Sequence, residues 1–190
     1  MVKIADALRM GGGTFLFNLS QAVGRFGEAA ALRAFRNGQI DHVFRVGSGT
    51  FNMRNMRLGE TLQLQNRSGH GLDLITKIVE PRPPAPRWVA IEVKTRMGND
   101  VPFPSLSNKQ QDADYLIDRA DAAVRGIARA RTAVQEGATA GRSWEDMIPH
   151  RRTIAEFEAH ARSGSVTKIH AKVEVDRQGN QVGEMIMEDW

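Results

Sequence analysis

The sequence predicts an α+β domain: a mixed β-sheet flanked by helices and finished by a C-terminal β-hairpin. Three observations predict it. A helical period occupies residues 20–37, strand-like segments broken by glycine and proline fill residues 41–95, and a long helical stretch then leads to one more strand pattern. A chain of 190 residues can fill one core, and 41% apolar with 25% charged residues is an ordinary globular composition. We therefore expect a flexible lead-in over 1–19 and a single domain over 20–190.

The segment SQAVGRFGEAAALRAFRN (20–37) places Val23, Phe26, Ala30 and Ala34 on one helical face, with Ser20 as N-cap and Gly38 as stop. Gly24 and Gly27 each cost such a helix ~1 kcal/mol against alanine. That cost makes sense where another backbone or a ligand comes close. Strands are expected at 41–46 (DHVFRV), within 50–65 where TLQLQ alternates with period two, at 72–79 (LDLITKIV) and at 88–95 (WVAIEVKT). The EPRPPAPR between the last two holds four prolines, which a strand interior does not accept, so it is their connection. Residues 108–135 read as one long helix with Leu116, Ala120, Val124, Ile127 and Val134 as its apolar stripe. Its aspartates (112, 114, 118, 121) precede its arginines (125, 129, 131), the order that suits the helix dipole. A short helix at 154–161 and a hairpin built from SVTKIHAKVEV, DRQGN and QVGEMIM complete the pattern.

Asp73, Glu92 and Lys94 stand inside segments otherwise built for burial. A charge in a strand interior costs free energy unless it is paired, solvated by a cleft or bound to a metal. Strand alternation puts Glu92 and Lys94 on one face with Trp88 and Ala90, and Val89, Ile91 and Val93 on the other. Antiparallel pairing of 72–79 with 88–95 would bring Asp73 beside Glu92. Two carboxylates so close repel, and Mg²⁺ or Mn²⁺ relieves the repulsion. The Val93 carbonyl offers a further hard oxygen ligand. Lys94 is suited to orient or help deprotonate a water, or to offset charge on a phosphate in transfer.

Asp73 followed by Glu92-Val93-Lys94 resembles the D…(D/E)-x-K signature of the PD-(D/E)XK nuclease superfamily. Gly69-His70-Gly71-Leu72-Asp73 is similar to the G-x-G-x-D entry of its members, with Leu72 where many have proline. The order helix, strands, helix, strand resembles the restriction-endonuclease-like core over roughly residues 20–175. The resemblance implies a Mg²⁺- or Mn²⁺-dependent endonuclease acting on DNA. It adds Glu28 on the first helix as a metal ligand beside Asp73, Glu92 and Val93. It also adds a glutamine early in the next helix, for which Gln110 is chosen over Gln111. The chain further resembles the nuclease modules of bacterial polymorphic toxins, which act in a target cell's cytoplasm after delivery and are blocked by a cognate immunity protein. The rival readings are a tRNA-cleaving RNase of the same fold, a repair or recombination nuclease, and an inactive nucleic-acid-binding module. The plain alternative makes Glu92 and Lys94 a solvated strand face and Glu28 a solvated helix residue, with His70 a turn residue.

Other chemistries lack their residues. Cysteine is absent, which removes disulfides and thiolate metal sites. His42, His150, His160 and His170 show no zinc spacing, Gly11-Gly12-Gly13 lacks the strand and lysine of a phosphate loop, and no nucleophile elbow occurs. No apolar run reaches the ~18 residues of a membrane span, and the opening segment lacks the pattern of a signal peptide. The net charge is +4, with a pI near 9.8. Arginines 125, 129, 131, 142, 151, 152 and 162 are candidates for a phosphate-backbone track, or else solvated helix faces. With 6% aromatics, a stacking platform for single strands is not expected.

Overall fold

The computed structural model describes residues 12–38, 40–46, 49–66, 71–80 and 86–190, without the side chains of 12–18 and 46. Helix α1 (Gly12–Arg36) is followed by an antiparallel ribbon of β1 (Val43–Val46) and β2 (Gly49–Asn52). The main sheet carries β3 (Arg57–Gln65), β4 (Gly71–Glu80), β5 (Trp88–Met97), β6 (Val166–Val175) and β7 (Ile186–Asp189), side by side in that order. Every pairing is antiparallel except β5 with β6, which run parallel from Trp88↔Val166 to Met97↔Val175. A parallel pair needs a long crossover. Here it holds α2 (Asn108–Gln111), α3 (Tyr115–Gln135), a 3₁₀ segment (Arg142–His150) and α4 (Arg151–Arg162). The fold is thus mixed α+β: a five-stranded mixed sheet flanked by helices, with a C-terminal strand pair.

Strand alternation divides the core into two layers. Leu74, Ile78, Val89, Ile91, Val93, Ile169, Ala171 and Val173 face Val23, Ala30, Ala31 and Phe35 of α1. Leu62, Ile75, Trp88 and Ala90 face Leu116, Ala120, Ile127, Ile154 and Phe157 of α3 and α4. Each fully buried aliphatic or aromatic side chain contributes roughly 1.5–3 kcal/mol. Trp88 is wholly buried and meets Phe157 edge-on at 5.5 Å. Glycine sets the closeness of these layers at two points. A Cβ on Gly27 would lie 1.8 Å from Thr95 Oγ1, so glycine lets α1 settle onto β5. A Cβ on Gly126 would lie 2.2 Å from the Trp144 ring, which fixes the 3₁₀ segment against α3. Gly24 has nothing within 4 Å, so no neighbouring backbone explains it.

Several boundaries differ from expectation. Helix α1 begins at Gly12, so residues 12–19 continue it and Ser20 is not its N-cap; residues 1–11 lie outside the described residues. So do Gly47-Ser48, Gly69-His70 and Pro81, Pro83 and Pro84 of the connection. The expected helix over 108–135 is two helices. The Asp112 carboxylate accepts the Asp114 N–H at 3.0 Å, a local turn that competes with the helix. Val134 is 39% exposed, while Ala130 and Ala133 carry the buried stripe. The last hairpin is looser than expected: after a single bridge at Val175↔Gln181, regular pairing begins only at Ile186.

Candidate active site

The β4–β5 ladder runs from Lys77↔Trp88 to Leu74↔Ile91 and goes no further towards Asp73. On its other edge β4 shifts register against β3 between Leu62↔Ile75 and Leu64↔Leu72, so Asp73 and Leu74 together oppose Gln63. That is a bulge, a device that bends a strand and re-aims a side chain. Gly71 sets its far side. Its φ is +153°, and a Cβ there would lie 1.8 Å from the Leu64 carbonyl oxygen, so no other residue fits two positions before Asp73.

Past the end of the ladder, the Asp73 side chain takes over from the backbone. Its Oδ2 accepts the Val93 N–H at 2.7 Å, and its Oδ1 accepts Gln65 Nε2 at 2.7 Å. In a strand, the N–H and C=O of one residue point the same way. The Val93 carbonyl therefore faces the same gap. Glu92 is directly opposite His170 of β6. Its Oε1 receives Lys94 Nζ at 3.4 Å and the Gln110 side-chain amide, while its Oε2 is buried without a partner. Lys94 Nζ also donates to Gln110 Oε1 at 3.1 Å. Gln110 is held as the third residue of a capping box with Ser107. Gln111 instead donates to the Leu106 carbonyl. Glu28 approaches from α1, where Gln63 donates to it at 3.2 Å, while the neighbouring Gln65 on the same face of β3 holds Asp73.

The electrostatics follow from this crowding. Burial, then the charge of Asp73, pushes Glu28 up to about 7. Burial, then Asp73, pushes Glu92 up to about 8, against the pull of Lys94. Asp73 is raised by burial too, opposed by the Val93 N–H and by Lys94. Three carboxylates thus share a poorly hydrated space with one ammonium among them. Among the described residues, no three His, Asp or Glu side chains converge tightly enough to ligate one ion as they stand. Each carboxylate is instead engaged by protein donors, with Glu92 Oε2 the exception. A groove of about 420 Å³ opens beside Lys94 between α1 and the segment after β5, lined in part by Val23, Gly24, Thr95 and Pro104. Gly24 borders this open space one helical turn before Glu28.

All five expected side chains, Glu28, Asp73, Glu92, Lys94 and Gln110, meet at this point, with Val93 supplying backbone. Sequence reasoning missed four companions. Gln63 and Gln65 lie on the polar side of TLQLQ, which looked solvated. Tyr115, buried, packs against Trp190, whose Nε1 donates to the Gln110 carbonyl at 2.7 Å, and burial followed by the charge of Glu92 raises its hydroxyl. His170 is buried with Nε2 unpartnered and is held low by burial and then by Lys172. Its strand position opposite Glu92 was the signal, readable only once β5 and β6 were known to pair. Of the arginine track, Arg125 and Arg162 are tied to Asp121, and Arg162 to Glu158 as well. Among the described residues, no helix is long and apolar enough to cross a membrane. Compared with protein-family models, curated proteins and solved structures, the chain matches none of them.

Proposed function

We propose that the chain is a metal-dependent endonuclease of PD-(D/E)XK type that hydrolyses phosphodiesters of DNA. The observation that carries this reading is the gathering of Glu28, Asp73 and Glu92 around the end of the β4–β5 ladder, with Lys94 bonded to Glu92. Hard oxygen donors in a desolvated, mutually repelling set suit Mg²⁺ or Mn²⁺. The buried, partnerless Glu92 Oε2 is an oxygen that such an ion would satisfy. Asp73, Glu92, Glu28 and the Val93 carbonyl are the groups that would hold it. When bound, a divalent ion supplies Lewis acidity at the phosphate and neutralises developing charge.

The chain's own residues do the rest. Gln65 and the Val93 N–H hold Asp73 in place. Gln110 fixes both Glu92 and the Lys94 ammonium. Lys94, kept between Glu92 and Gln110, is placed to orient the attacking water and to offset charge on the phosphate. The groove beside it gives a polynucleotide access.

The test is incubation of plasmid DNA, and in parallel total tRNA, with Mg²⁺ or EDTA. D73A and K94A are each expected to lose about 10³-fold in rate or more. Cleavage that survives both substitutions would sink the site assignment. Cleavage of tRNA alone would move the substrate to RNA. Retained DNA binding without Mg²⁺ binding by calorimetry would favour the inactive binding module. The effector setting, with an immunity protein as partner, rests on the toxin resemblance. Toxicity on expression, abolished by D73A and relieved by a neighbouring reading frame, would support it over a repair or recombination role.

A further inference from the structure

We propose that Arg119 clamps a backbone phosphate of DNA next to the scissile one. This deepens the nuclease reading above and rests on it. Arginines with an unsatisfied buried donor are uncommon, because the group loses water and gains nothing. Arg119 is such a case: its Nε is buried without a partner. Among the described residues it makes no ion pair, whereas Arg54, Arg57, Arg96, Arg125 and Arg162 each find a carboxylate. In place of one, its guanidinium lies over the Tyr115 ring at 5.1 Å.

That ring ties Arg119 to the site. Tyr115 packs against Trp190 at 5.6 Å, Trp190 Nε1 donates to the Gln110 carbonyl at 2.7 Å, and the Gln110 side chain holds Glu92 and Lys94. Arg119 is one turn beyond Tyr115 along α3. A planar fork stored on an aromatic face, with Nε unpartnered, matches the two-pronged geometry of a phosphate. Arg142 provides the contrast. Its Nε is also buried and partnerless, but it belongs to the segment that packs on Gly126 through Trp144 and on Ala133 through Gly141, roughly 10 Å or more along α3 from Arg119.

The experiment uses the full chain carrying D73A, in EDTA, with a short fluorescent DNA duplex titrated over a salt series. R119A is expected to lower the slope of log affinity against log salt by about 0.9, one phosphate contact, and R142A to leave it unchanged. R119K, which keeps the charge but loses the fork, is expected to keep the slope and bind several-fold more weakly. Unchanged slope and affinity in R119A overturn the clamp while leaving the nuclease reading intact. Should R119A fail to fold, R119K decides alone, and unchanged affinity there overturns it. If the D73A chain binds no DNA even at low salt, the clamp is overturned, whereas the nuclease reading falls only if the wild-type chain with Mg²⁺ leaves both DNA and tRNA uncut.

Discussion

The two ends of the β4–β5 pair are made of the same strands and do opposite things. At one end, Lys77↔Trp88 to Leu74↔Ile91 form a regular ladder over a wholly buried Trp88, with Val89 and Ile91 in the other layer. At the other end the ladder stops, a bulge turns Asp73, and two carboxylates sit where backbone pairing would continue. The difference teaches that the site is a discontinuity in the sheet, not an addition to it. Stability lies in the paired end, and the strain of like charges is confined to the unpaired one.

If that division holds, substitutions at the two ends should separate stability from chemistry. The largest effect on stability is expected from W88A. Removing that ring should cost about 3–5 kcal/mol by denaturant melting, whereas D73A should leave the midpoint unchanged or raised. A melt in which D73A costs as much as W88A would erase the division.

Next comes the dependence on pH. The folded-state values of Glu28 and Glu92, about 7 and about 8, lie above the ordinary 4.5, and Asp73 is raised in the same direction. The native state therefore binds more protons than the unfolded state between about pH 4.5 and 8. The carboxylates' contribution is complete below the ordinary value and is lost as pH rises through the folded one. His170, held below its ordinary 6.5 by burial and then by Lys172, acts in the opposite sense. The clean measurement is thus the difference between wild type and E92Q without divalent ions. E92Q should gain on wild type as pH rises from 5 to 8, by an amount on the order of a few kcal/mol at most. A difference that stays constant would show that Glu92 is not strained by its neighbours.

The smallest effects sharpen the role of α1. G27A drives a methyl group into Thr95 and should cost roughly 1–3 kcal/mol. G24A meets nothing and should be neutral or stabilising by up to ~1 kcal/mol, while narrowing the groove beside Lys94. Equal costs for the two would contradict this packing of α1 on β5.

Much of this arrangement was legible beforehand, for local reasons. Strand period placed Glu92 and Lys94 on the face of Trp88 and Ala90, and the proline-rich connection made 72–79 and 88–95 neighbours. What escaped was whatever depends on distant partners or on competition between local bonds. The bulge at Asp73 is a property of β3 against β4, invisible in LDLITKIV alone. Gln63 and Gln65 read as the wet side of a strand because nothing in TLQLQ says that Glu28 lies opposite. The aspartates at 112 and 114 suited a helix dipole, yet Asp112 bonds the Asp114 N–H and ends α2. Arg119 differs from the other arginines of its helix in its buried, partnerless Nε and in lying over the Tyr115 ring, and those are facts of tertiary structure.

The parallel pairing of β5 with β6 carries a consequence for how the chain reaches this state. The β4–β5 hairpin is local and can zip early. Ile91, however, waits for Ile169, across the whole helical crossover, and such long-range closure is slow. Until β6 docks, β5 presents WVAIEV with one edge bare, a short apolar, β-prone run of the sort that recruits other chains. The docking of β6 thus guards the chain against self-association, and substitutions that delay it should be felt first as aggregation during refolding, before any loss in the finished fold.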